Sequence, residues 1–203
     1  SITAQFLVEP TTLDPEKIFR RMHMITQGMH RDALTSLIES DAHLMKIVTE
    51  RDDEVDRLYF LQVRLIRSAA QDARLASRFR LSPIDCLDYR VAANMIEAIG
   101  DVSVEVAKVA GILPSSTLDD IQDTLKSIRD LTERMQEASV KAFLTRGAEE
   151  AKEVVEIFTR LTGEISRLEA EASTKPPHIA ASLLGLAASI NRITRYSIDI
   201  ADL

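Results

Sequence analysis

The chain has 203 residues, 45% of them apolar, 28% charged and 4% aromatic, with no Trp, six Gly and six Pro. That mixture excludes a disordered chain and argues against a strand-built fold, which draws on aromatic and β-branched residues bounded by turn formers. The net charge of −7 is divided between the halves, with 14 basic and 17 acidic side chains in residues 1–115 and 11 and 15 in residues 116–203. Neither half therefore shows the cationic surplus that nucleic acid or anionic lipid requires.

Cys86 is the single cysteine, which excludes an internal disulfide and fits a reducing compartment. No apolar run approaches the ~18–20 residues needed to span a bilayer, so a cytoplasmic protein without membrane insertion is expected. Residues 1–13 read as an extended segment, with Ile2-Thr3-Ala4-Gln5-Phe6-Leu7-Val8 leading into Glu9-Pro10. A short strand or the tail of an upstream domain is expected there.

Six helical segments follow. Asp14-Pro15-Glu16 opens the first with a cap and a first-turn Pro, and its apolar stripe is Ile18, Met22, Ile25, Met29, Ala33 and Leu37. Ser40-Asp41 caps a second helix running to about residue 77, with Leu44, Val48, Val55, Leu58, Leu65 and Ala69 on one side. Ser82-Pro83-Ile84-Asp85 is close to a capping box for the third, whose expected buried stripe is Leu87, Val91, Met95, Val102, Val106 and Val109, with Gly111 and Pro114 as terminators. Thr117-Leu118-Asp119-Asp120 is the expected cap of the fourth, striped by Ile121, Leu125, Ile128, Leu131, Met135 and Ala138. Gly147 marks the turn to a fifth carrying Val154, Val155, Phe158, Leu161, Ile165 and Leu168. Lys175-Pro176-Pro177 separates it from a sixth with Ile179, Leu183, Leu186, Ile190, Ile193 and Ile200. Isolated helices are marginal and the connections are short, so antiparallel bundle packing is expected.

The order of helices repeats. Residues 97–107 align without a gap on 191–201, and Val55-Asp56-Arg57-Leu58 aligns on Ile165-Ser166-Arg167-Leu168. The reading is all-α: two tandem antiparallel three-helix bundles of six helices in all, with an extended segment at 1–13, a first bundle at 14–113 and a second at 114–203.

The densest polar run is Glu50-Arg51-Asp52-Asp53-Glu54-Val55-Asp56. Asp52 and Asp56 stand four apart and share a helix face; so do Glu97 and Asp101 on the third helix, with Glu105 a turn further on. If these helices are neighbours, the carboxylates converge. Two such charges ~6 Å apart repel by roughly 0.7–3 kcal/mol, depending on the dielectric. Clustered carboxylates without His or Cys form a hard oxygen-donor set suited to Mg²⁺, Ca²⁺, Mn²⁺ or an iron cluster. The plainer alternative is a solvated acidic face, neutralised in part by Arg51 and Arg57. The second repeat has Thr162 and Ser166 opposite Asp52 and Asp56, and Asn191 and Arg195 opposite Glu97 and Asp101. Any complete site is therefore expected in the first half alone.

Other candidates are weaker. His23, His30 and His43 lie among Met22, Met24, Met29 and Met45 at spacings that match no ligand motif, so helix-surface or core-edge positions are expected. Cys86 near a helix start has no paired His and reads as a packing residue. P-loop, dinucleotide-turn and Ser-nucleophile motifs are absent, as is the Glu-x-x-His signature of di-iron bundles.

Taken together, Arg21-Met22-His23, Asp41, the run from Glu50 to Tyr59 and Glu97-Ala98-Ile99-Gly100-Asp101 resemble the PhoU family of phosphate-uptake regulators. The run around 50–62 looks most like archaeal members in which the PhoU region follows an AbrB-type DNA-binding domain. The resemblance spans about residues 14–203 and implies paired three-helix bundles. It also implies metal clusters on Glu/Asp-x-x-x-Asp motifs, matched here by Asp52 with Asp56 and by Glu97 with Asp101. Ala98 stands where the family usually has Arg, and the second-repeat motif is lost at Asn191 and Arg195.

The function so implied is non-enzymatic: regulation of phosphate uptake and phosphate-starvation signalling through contacts with phosphate-transporter or phosphate-signalling proteins, as a homodimer. The expected cofactor is a divalent metal or iron cluster on the first repeat. Two alternatives come from other classes: a helical dimerisation or signal-input module of a DNA-binding regulator, and a carboxylate-bridged metalloenzyme. Because the chain starts at Ser1 and both halves are acidic, any DNA contact is expected from an upstream domain and not from residues 1–203.

Overall fold

The structure is a computed structural model that describes residues 13–203. The segment expected to be extended at 2–8 lies outside the described residues. Those described form seven helices: α1 (Pro15–Glu39), α2 (Ala42–Gln71), α3 (Ala73–Phe79), α4 (Pro83–Val109), α5 (Ser115–Thr145), α6 (Ala148–Ala172) and α7 (Pro177–Asp202). No strand occurs among them.

The caps explain most boundaries. Asp14 accepts from the Glu16 amide at 3.0 Å and Pro15 occupies the first turn. Ser40 adopts a left-handed conformation at φ 53°, and Asp41 then caps α2 through the amides of His43 and Leu44. The capping box of α4 is complete: Ser82 accepts from the Asp85 amide at 3.1 Å while Asp85 accepts from the Ser82 amide at 2.8 Å.

Six helices were expected and seven are present, because α2 stops at Gln71 instead of running to about residue 77. Asp72 turns extended (φ −127°, ψ 106°) and its carboxylate accepts from the Arg74 amide, so one aspartate ends α2 and caps α3. A second correction concerns α5. It begins at Ser115 with Pro114 as its N-cap residue, not at Thr117, which is buried inside the first turn. The Pro114 carbonyl accepts from the amides of Thr117 and Leu118, so the cap lies three residues earlier than expected.

The stripes on α1 and α5 are buried largely as the periodicity predicts. The stripe on α4 is buried at Val102 and Val106 as expected, but not in its N-terminal half. Leu87 and Val91 are exposed, and Cys86, Ala92, Ala93, Ile96 and Ile99 are buried instead. This helix meets α1 and α2 as well as α7, so its buried face is wide, and small residues permit the closest approaches. Val155 on α6 is likewise exposed.

The two triplets share one continuous hydrophobic core, with α1 packed on α5 and α4 on α7. Phe19, Tyr89 and Phe143 join α1, α4 and α5 in an aromatic cluster with centroid separations of 5.7, 5.2 and 5.1 Å. A buried polar relay crosses the same seam. His30 Nε2 lies 2.6 Å from Gln136 Oε1, Gln136 Nε2 donates to Thr26 Oγ1 at 2.9 Å, and Thr26 Oγ1 donates to the His23 carbonyl. His30 is thus a fully buried seam residue, not the surface or core-edge residue expected; His43 is exposed. Burial holds both His23 and His30 neutral, with pKa lowered to about 4.

Candidate metal centre

The helical period puts Asp52 and Asp56 on one face of α2, and Glu97 and Asp101 on one face of α4. Packing of α2 against α4 turns these faces toward each other. Gly100 of α4 lies at this contact: a Cβ there would stand 3.4 Å from Asp52 Oδ1, 3.6 Å from Thr26 Cγ2 and 3.7 Å from Met29 Cε, all ordinary contact distances, so the Asp52 carboxylate lies close to the α4 backbone.

The electrostatics follow from this placement. Asp52 is pushed up to about 6, first by burial and then by Asp101, Asp56 and Asp53, against a lowering influence from Lys108. Glu97 is raised by burial, then by Asp101, Asp56 and Asp52. Asp101 is raised by burial, then by Asp56 and Glu105. The four predicted residues therefore form one mutually repelling patch.

Neighbouring cations do not quench it. Arg51, expected to neutralise this face, turns away to pair with Asp32 on α1. Glu54 pairs with Arg21, also on α1. Glu105, a turn beyond Asp101, is drawn toward α7 by Arg192 at 2.6 Å and Ser189 at 3.3 Å. Among the described residues Asp52, Asp56, Glu97 and Asp101 make no ion pair with Lys, Arg or His.

The donor chemistry suits a hard divalent cation: carboxylate oxygens only, partly desolvated and without a direct ion pair, with Lys108, Arg90 and Arg192 offsetting part of the repulsion from a distance. The side chains as they stand do not converge on one point, since no described group of three or more His, Cys, Asp or Glu is close enough to hold a metal ion. On the second triplet Arg195 lies over the Phe158 ring, 5.7 Å from its centroid, and Thr162 donates to the Phe158 carbonyl. A cation and a hydroxyl thus stand where the first triplet has carboxylates.

Residues 19–110 match the PhoU domain family. That stretch runs from the first turn of α1 through α4 and contains all four carboxylates. Most of the chain is also similar in structure to PhoU from Pseudomonas aeruginosa, known from a crystal structure. The TM-score is 0.74 at 18% sequence identity, covering 93% of this chain and 92% of that one. The two share a fold. No curated protein matches the chain. Among the described residues, no helix is long and apolar enough to cross a membrane.

Cys86 is buried, and burial raises its thiol pKa, as a packing residue requires. A charge count by halves conceals one feature. Seven of the chain's arginines fall between residues 57 and 90, with three aspartates and no lysine. A local count along the sequence would have found this basic end of the first triplet.

Proposed function

We propose that this chain is a non-enzymatic regulator of phosphate uptake and phosphate-starvation signalling, acting through protein contacts. In this reading the α2–α4 carboxylate patch is a cation-dependent docking surface. One observation carries the proposal: four carboxylates without a direct ion pair, three of them with raised pKa, lie inside the segment that matches the PhoU domain. Keeping such charges together costs stability, so a role that uses them is the simplest account of their placement.

A divalent metal would be held by Asp52, Asp56, Glu97 and Asp101. Its charge would offset their repulsion and present a rigid, electrostatically distinct face to a phosphate-transporter or phosphate-signalling partner. The protein would act in the cytoplasm as a homodimer. The likeness of the 50–62 run to archaeal members that follow an AbrB-type domain makes the chain, on this proposal, the input half of a DNA-binding regulator.

The regulatory claim is tested by deleting the gene in its own host and measuring phosphate uptake in phosphate-replete medium. Uptake should rise, and the wild-type gene should restore it; unchanged uptake would sink the regulatory reading. The metal claim is tested separately by calorimetric titration of the purified protein with Mn²⁺. Loss of heat in both Asp52→Asn and Asp101→Asn is expected, and equal binding by wild type and variants would remove the patch from the function.

A further inference from the structure

We infer that the groove between α2, α3 and α4, on the basic end of the first triplet, is a docking site for an acidic amphipathic helix of a partner protein. The inference does not rest on the regulatory reading or on metal.

The groove has a volume of about 670 Å³ and is mainly apolar. Ile66 and Ala69 of α2, Ala73 and Ala76 of α3, and Cys86 and Leu87 of α4 supply its walls. Small side chains on two walls leave room for a backbone to approach. Leu87 is 63% exposed, and Ile84 and Val91, three residues before and four after it on the same face of α4, are 60% and 41% exposed. An apolar stripe with helical spacing, open to solvent beside a concave surface, is what helix-in-groove recognition uses.

One wall is built to adjust. Ile66, Ala69 and Cys86 form a small hydrophobic cluster separate from the main core. The seven-residue α3 has no buried residue of its own, and the helix it packs on is α2. A short element with so little buried surface can shift to fit an occupant at small cost.

Charge selects the occupant. Arg67 and Arg90 line the groove, and Arg74, Arg78 and Arg80 lie on or just after α3. The three aspartates in this stretch are already engaged. Asp72 caps α3; Asp85 serves the α4 capping box and pairs with Arg146; Asp88 lies 4.0 Å from the same Arg146. Arg67, Arg74, Arg78 and Arg80 form no ion pair with a described carboxylate. In a chain of net charge −7, residues 67–90 carry five arginines against three aspartates. Guanidinium groups are weakly hydrated and bind carboxylates in a bidentate fork, so Asp or Glu flanking an apolar stripe completes the match. A bilayer would meet a flat or convex face; a groove with Leu87 in its wall takes a cylinder.

The experiment is a fluorescence-anisotropy titration of the full chain with a labelled synthetic peptide of about 18 residues, bearing Leu at helical spacing and Glu on both flanks. Micromolar binding is expected. It should weaken by about tenfold or more in Leu87→Glu, in Arg67→Glu, and for a scrambled peptide of equal charge, each about 1.4 kcal/mol. Both positions are exposed, so both variants should fold. The proposal is overturned by absence of binding, or by binding that the scrambled peptide or either variant matches. It is also overturned if anionic phosphatidylglycerol vesicles, and not the peptide, bind in a Leu87-dependent way.

Discussion

Neutralising Asp52 should stabilise the metal-free protein at neutral pH. The Asp52 carboxyl sits at about 6 in the folded chain against an ordinary 3.8, so the folded state holds its proton more tightly than the unfolded state does. Stability from that proton is fully present below about pH 4 and is lost as pH rises toward and through 6. A rise of that size sets an upper limit of about 3 kcal/mol. The group is only partly buried, and solvent screening reduces this to about 1–2 kcal/mol. Asp52→Asn keeps the shape and removes the charge. In EDTA at pH 7.5 it should raise Tm by about 2–8 °C for a chain of this size. The gain should shrink between pH 6 and pH 4 and vanish below that. His23 and His30, buried neutral with pKa about 4, destabilise the fold as pH falls from 6.5. Both proteins share them, so the difference in Tm isolates Asp52. Differential scanning calorimetry across pH 4–8 measures it. A neutral or destabilising substitution at pH 7.5, or a difference that does not change with pH, would refute the repulsion argument.

Gln136→Leu should cost about 2 kcal/mol, because it leaves the His30 ring and the Thr26 hydroxyl without their partner inside the seam; urea denaturation reads the loss. Gln62 is fully buried and neither amide atom has a partner among the described residues, so Gln62→Met should be neutral or stabilising by up to about 1 kcal/mol in the same assay. Asp72→Ala removes the only side-chain cap of α3, worth about 1 kcal/mol. Hydrogen exchange should therefore speed up over residues 73–79 while α1 and α5 keep their protection.

How much of this was legible before folding depends on the range of the forces involved. Helix positions were readable because 3.6-residue periodicity and capping are local: Asp14-Pro15 and Ser82–Asp85 declare their helix starts without tertiary help. The pairing of Asp52 with Asp56 and of Glu97 with Asp101 was equally legible, since a helix alone puts residues four apart on one face. Asp72 is harder: an aspartate in a good helical run is a cap only if the chain turns there, and propensity does not decide it. The exposure of Leu87 and Val91 was misread because a stripe names a face but not the neighbour that covers it. Alanines at 92 and 93 win the interior, where α4 lies close to its neighbours.

The sequence by itself determined most of the helix positions, though not the break at Asp72 or the start of α5, and that carboxylates line two helices while the second repeat lacks the feature. Only the tertiary structure decided that α2 and α4 pack as neighbours with the Asp52 carboxylate beside Gly100, and that Arg51 pairs with Asp32. It alone placed His30 and Gln136 together across the seam and gathered arginines around an open groove. Desolvation and charge coupling act between residues tens of positions apart in the chain, and their strength depends on distances that exist only once the helices have packed.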